Sequence, residues 1–158
     1  MPDGIVKTEA WMVDDLAGRI RPEHEREINA LLPMRAGEVL RYGVGHAASC
    51  YAGIREGTVL FIVGVEKPGF LTGSALGWLL GCADMDRHGV WIAERSRETL
   101  PVLHRESGAA RIENQVPADY HAALKWLRWL GFRTAPGSGG LTGTPHVKVW
   151  HDWGHECN

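Results

Sequence analysis

The sequence is short of cysteine, of long apolar runs and of net charge. Its three cysteines, Cys50, Cys82 and Cys157, are scattered over 158 residues. An odd, unclustered set does not form a disulfide framework and favours a reducing compartment. The longest apolar run, Thr58 to Val65, is far too short to span a bilayer. Met1-Pro2-Asp3-Gly4 has no basic stretch followed by an apolar one, so no secretory leader is expected and a cytoplasmic location is. Lys and Arg number 17 against 19 for Asp and Glu, a formal net charge of −2. That balance is not the footprint of a nucleic-acid binder. No internal repeat and no linker divides the chain, so one domain over residues 1–158 is expected.

What is present is a core. Apolar residues make up 44% and charged residues 23%, which places the chain among folded proteins rather than disordered ones. The 20 Gly imply many turns and close backbone approaches, and the 7 Trp need a large apolar interior or an interface.

Pattern and punctuation predict alternating elements. A strand covers Ile5 to Trp11, and Asp14 and Asp15 cap a short helix from Leu16 to Ile20. A second helix starts at Pro22, with Glu23, Glu25 and Glu27 near its positive end, and stops at Pro33. A third runs from Gly37 to His46. Strands follow at Ser49–Ile54, Thr58–Val65 and Leu76–Ala83, the last two apolar enough to be covered on both faces. A helix from Arg87 to about His104, kinked or interrupted at Pro101, leads to a strand at Arg111–Val116. Asp119 caps the clearest helix, Tyr120 to Leu130, and Gly131 ends it. A Gly-rich loop (136–145), a strand (His146–Trp150) and a tail (151–158) complete the chain. Helices between buried strands predict an α/β layer structure built on a mixed central sheet with helices on both faces.

In the helix Ala122-Ala123-Leu124-Lys125-Trp126-Leu127-Arg128-Trp129-Leu130, only His121, Lys125 and Arg128 make a polar stripe. So broadly apolar a helix is expected to pack on more than one side. Trp126 and Trp129 fit the core; they also fit a partner surface or self-association, since Trp and Arg favour interface centres.

A short strand ending near Asn114, a capped helix ending Leu130-Gly131-Phe132, and a returning strand resemble the C-terminal half of the GNAT acyltransferase fold. The segment Glu113-Asn114-Gln115-Val116 followed by Lys125-Trp126-Leu127-Arg128-Trp129-Leu130-Gly131-Phe132 is similar to small GNAT-like proteins of tailed phages and prophages. Arg21 to Ala30, Trp78 to Gly81 and Ser96-Arg97 extend the likeness to about Asp15–Phe132. It implies a GNAT-like (acyl-CoA N-acyltransferase) architecture, acetyl-CoA as cofactor, and phage structural or assembly proteins as partners, with the protein in the bacterial host or the virion.

The resemblance also implies where chemistry would sit. The cofactor arm would lie between Leu76–Ala83 and Arg111–Val116, touching Cys82, Ala83, Asn114 and Tyr120. The pyrophosphate would rest on the next helix start, at Arg87, His88 and Gly89. Asp84 and Asp86 put two carboxylates beside that place, which makes a poor phosphate cradle. Leu127 stands where many GNAT enzymes carry a Tyr that protonates the leaving thiolate. Asp84 and Glu27 are the candidate bases; the plainer roles are a helix cap for Asp84 and a solvated helix face for Glu27. The resemblance thus favours a phage or prophage protein with uncertain or lost acetyltransferase activity, with an active N-acyltransferase as the alternative.

Other motifs carry less. Gly137-Ser138-Gly139-Gly140-Leu141-Thr142-Gly143-Thr144 lacks the Lys of a phosphate loop, and Gly43-Val44-Gly45-His46 lacks an enclosing βαβ unit. His146, His151, His155 and Cys157 are zinc-type ligands without the paired Cys of a structural site, so no metal is expected. Cys50 and Cys82 read as core residues.

Overall fold

The apolar run beginning at Thr58 is the centre of the structure. In the computed structural model, which describes residues 3–137, 143 and 145–153, this run is β3 (Thr58–Glu66). The pleat sends Leu60 and Ile62 to one face and Phe61 and Val65 to the other, and all four are buried. β2 (Ala47–Arg55) and β4 (Ser74–Gly81) flank it, and β1 (Gly4–Lys7) lies outside β2. Beyond β4 come β5 (Arg111–Pro117), β7 (His146–Asp152) and β6 (Arg133–Pro136). The seven-stranded order is β1-β2-β3-β4-β5-β7-β6. Only β4 and β5 run parallel; every other neighbouring pair is antiparallel.

Both faces are covered. α1 (Ala10–Ala17), α2 (Pro22–Leu31) and α3 (Ala36–His46) bury Met12, Leu16, Ile28 and Leu40 against Leu60, Ile62 and Leu80. α4 (Gly89–Ser107) packs Leu100 and Leu103 on Val63, Val65, Ala75 and Ile112 on the other face. α5 (His121–Trp129) sets Leu124 on Val116 and Val149. Each fully buried aliphatic side chain is worth about 1.5–3 kcal/mol of transfer free energy. At the end of α4, Glu106 accepts hydrogen bonds from Tyr51 (2.6 Å) and Ser49 (3.0 Å), which ties that helix to β2. No described helix is long and apolar enough to cross a membrane.

The structure corrects several expected elements. The first helix is Ala10–Ala17, not Leu16–Ile20, because Met12, Val13 and Leu16 form its buried face. It takes Trp11 out of the first strand, which ends at Lys7. α4 runs through Pro101 without a break, and Leu103 and His104 are buried in the turn after it. α5 starts from Tyr120 with no side-chain cap, so Asp119 does not cap it. The same helix exposes Ala122 and Trp129 beside its polar stripe, so it packs on one broad side only. β6 was not expected; it is a short edge strand of little apolar character, and Pro136 suits its edge position. The last strand reaches Asp152, taking His151 and Asp152 from the expected tail. Most of the Gly-rich loop over 136–145, and His155 and Cys157, lie outside the described residues.

Candidate functional site

β4 has two unlike edges. Against β3 it is paired from Gly77 to Gly81. Against β5 it is paired only at Ser74, Ala75 and Leu76. The parallel strands then part. Asn114 stands at the vertex, where its Nδ2 donates to Gly77 O at 2.7 Å and its Oδ1 accepts from the Gln115 N–H at 2.6 Å. The vertex is tight enough that a Cβ on Gly77 would run into the Ile112 side chain.

Parting the strands exposes backbone polar groups that need partners. Gly81 finds them on α2: its C=O accepts from the Arg21 N–H (2.9 Å), and its N–H donates to His24 Nδ1 (2.9 Å). His24 is therefore a neutral acceptor at Nδ1, and burial pulls its pKa down to about 4. A bridge between Ile20 and Cys82 extends the same stitching. Strand alternation places the N–H and C=O of Leu79 on this edge too, between Gly77 and Gly81.

The gap holds a cavity of about 170 Å³. It passes through the sheet: His24 and Glu27 line it from one face, Thr99, Leu100 and Leu103 from the other. α5 forms a wall with Tyr120, Ala123, Trp126 and Leu127, which share one side of the helix. The hydroxyls of Ser96 and Thr99 are spent on the carbonyls of Ile92 and Arg95, each at 2.7 Å. Two lining residues, Trp78 and Trp126, keep their indole N–H buried with no acceptor among the described residues.

Two carboxyls line this cavity: Glu113, which is paired with Lys148 at 3.6 Å, and Glu27 on α2, which has no ion pair among the described residues. Burial alone pushes its pKa up to about 7, so it exchanges a proton near neutrality. Tyr120 is pushed up to about 12 by burial and then by the nearby charge of Glu27, so its phenol keeps its proton.

The structure thus divides the expected site residues. Glu27, Asn114 and Tyr120 line the cavity. Asp84, Cys82, Ala83, Arg87, His88 and Gly89 do not. β4 ends at Gly81 rather than Ala83, and the chain turns at once into a 3₁₀ helix, Ala83–His88. Asp84 there faces Arg87 at 3.5 Å and is half exposed, while Asp86 faces Arg21 at 3.0 Å. Cys82 is buried, its thiol 3.7 Å from Val59 O. Of the tryptophans, Trp126 lines the cavity and Trp129 lies outside it beneath the Arg97 guanidinium, 4.1 Å from the ring centre. His24 went unnoticed in the sequence; its spacing of three from Glu27 puts both on one side of α2.

The cavity suits the narrow arm of an acyl thioester carrier: its lining is mostly apolar, and the Leu79 amide on the open strand edge is a bonding partner. The turn at Asp84–Gly89 suits a diphosphate less well, since both carboxylates stand there. Among the described residues no group of three or more His, Cys, Asp or Glu is placed to hold a metal ion.

No family model matches the chain, and no curated protein matches it significantly. Solved structures do match. A ribosomal-protein-S5-alanine acetyltransferase from Vibrio fischeri superposes with a TM-score of 0.71 at 12% identity, covering 94% of this chain and 91% of that one. A Bacillus subtilis acetyltransferase in complex with CoA gives 0.67 at 12% identity, over 96% and 99%. A GCN5-related N-acetyltransferase from Kribbella flavida gives 0.69 at 18% identity, over 94% and 96%. These neighbours are acetyltransferases, not virion components. A mixed seven-stranded sheet split between β4 and β5, shared along nearly the whole length of these enzymes, gives the chain the GNAT acyl-CoA N-acyltransferase fold.

Proposed function

We propose that this chain is an N-acyltransferase that moves an acyl group from a CoA-type thioester to an amine, with Glu27 as the base. The observation that carries this reading is a partly buried carboxyl, pushed up to about 7, on the wall of the cavity between the parted strands. The CoA complex of a structural neighbour supports the choice of thioester. The Leu79 amide would hold the arm, with Trp126 packing against it, and acetyl-CoA is the donor to test first.

The reaction then needs little from the protein. Glu27 takes a proton from the incoming ammonium. The free amine nitrogen attacks the thioester carbonyl, a C–N bond forms and the C–S bond breaks. The nitrogen's second proton replaces the one the sulfur takes up as it leaves as a thiol, and Glu27 returns its own proton to water. Leu127 cannot protonate that sulfur, but Tyr120, on the same wall and held protonated, can. Alignment within the cavity supplies the remainder.

Thermal denaturation with acetyl-CoA tests the reading. At about 100 times its dissociation constant the ligand adds about 2.7 kcal/mol, which shows as a clear rise in melting temperature. No rise at millimolar acetyl-CoA, with no thiol released in the presence of any amine, overturns it. The virion-assembly reading draws on the carboxylates at Asp84 and Asp86; it would take over if the unresponsive protein co-sedimented with phage particles.

A further inference from the structure

Glu27 and Tyr120 also face a second space. A groove of about 390 Å³ runs between α2 and the turn that joins β5 to α5. Glu23, Arg26 and Asn29 stand on its α2 wall, Pro117 and Asp119 on the other. Glu27 and Tyr120 line both spaces, so the groove and the inner cavity adjoin at these two side chains. A molecule lying in the groove reaches Glu27 from the face opposite α4.

The walls have a definite charge. With Glu27 ionised, three carboxylates (Glu23, Glu27, Asp119) face one guanidinium (Arg26), and Arg21, bonded to Glu23, brings the excess to one negative charge. Glu23 accepts from Arg21 at 2.8 Å but keeps 36% of its side chain exposed. Asp119 is exposed on the opposite wall, and Arg26 is exposed as well. Apart from the Tyr120 ring, the apolar lining is only Ala30 and Pro117, too little to hold a greasy acceptor.

We propose that the acceptor is a small amine carrying a second ammonium group, as in a linear diamine. Its reacting nitrogen sits at Glu27 and its second charge lies between Glu23 and Asp119. The inference rests on the acyl-transfer reading and adds the substrate class. Overall, one ammonium and the thioester give an amide, a thiol and one proton released to water, while the second ammonium is unchanged.

Calorimetric titration of the intact protein with putrescine and with butylamine, without thioester, reads the groove directly. Putrescine is expected to bind about tenfold more tightly than butylamine, a difference of about 1.4 kcal/mol. The gap should shrink with added salt and close in a Glu23→Gln, Asp119→Asn double variant whose melting curve shows it folded. Equal affinities, or a gap that survives in the double variant, overturn the inference. Steady-state thiol release from acetyl-CoA separates the two readings. Turnover on monoamines or amino acids with no preference for the diamine removes this inference and leaves acyl transfer standing. No stabilisation by acetyl-CoA and no turnover on any amine removes both.

Discussion

The two edges of β4 show how one strand serves two ends. Its β3 edge is paired from Gly77 to Gly81, and Leu60, Ile62, Val65 and Leu80 along that seam are buried. Its β5 edge is paired over Ser74 to Leu76 and then opens. The closed edge supplies stability. The open edge gives up ladder bonds, and α2 and Asn114 recover only some of them, through Arg21, His24 and the Asn114 amide. The difference teaches that a site of this kind is made by stopping a ladder and satisfying its ends from elsewhere, leaving the Leu79 amide and the Glu27 carboxyl beside the gap.

The comparison can be broken most severely at Glu27. Glu27→Gln keeps the shape of the wall and removes the proton acceptor. Acyl transfer is expected to fall by about 10²- to 10⁴-fold at neutral pH, measured as thiol release at saturating amine. The same variant should melt higher than the parent above pH 7. The native carboxyl is held up to about 7, so the stability it contributes is complete below its ordinary value of 4.5 and is lost as pH rises through 7. An unchanged rate would remove Glu27 from the chemistry.

His24 gives the opposite pH dependence. Its native pKa, about 4, lies below the ordinary 6.5, so its contribution is present above 6.5 and is lost as pH falls through 4. The full displacement corresponds to about 3 kcal/mol. Denaturant melts between pH 7 and pH 4 should show a loss of that order, and His24→Gln should flatten it. A smaller effect is expected at the vertex. Gly77→Val forces a branched side chain into Ile112 and should cost about 1–3 kcal/mol in denaturant unfolding, together with the melting response to acetyl-CoA. Smallest of all is Asp84→Ala. Its carboxylate is half exposed beside Arg87 and off the cavity, so rates and melting should change little. A hundredfold rate loss there would move the base from α2 to the 3₁₀ helix.

Much of this was legible in the sequence, for identifiable reasons. Apolar periodicity located β3, most of β4 and α5, because burial on a sheet face or helix side leaves a period behind. Glu27 could be named because the helix start at Pro22 placed it. Asp84 was placed at the cleft because β4 read as two residues too long; nothing in Gly81-Cys82-Ala83 marks where pairing stops. His24 stayed hidden because its partner is the backbone of Gly81, 57 positions away, and a backbone N–H has no sequence signature. The groove beyond Glu27 was out of reach for the same reason, since Asp119 and α2 meet only in three dimensions.

The three paired rows between β4 and β5 have a consequence for motion. Among the described residues they are the only ladder joining β5, β6 and β7 to the larger part of the sheet. With its own small cluster around Val116, Leu124 and Val149, that third of the chain is expected to breathe as a separate cooperative unit. Its amides would exchange with deuterium earlier than those of β3, and a molecule spanning the gap would slow them by fastening the two parts together.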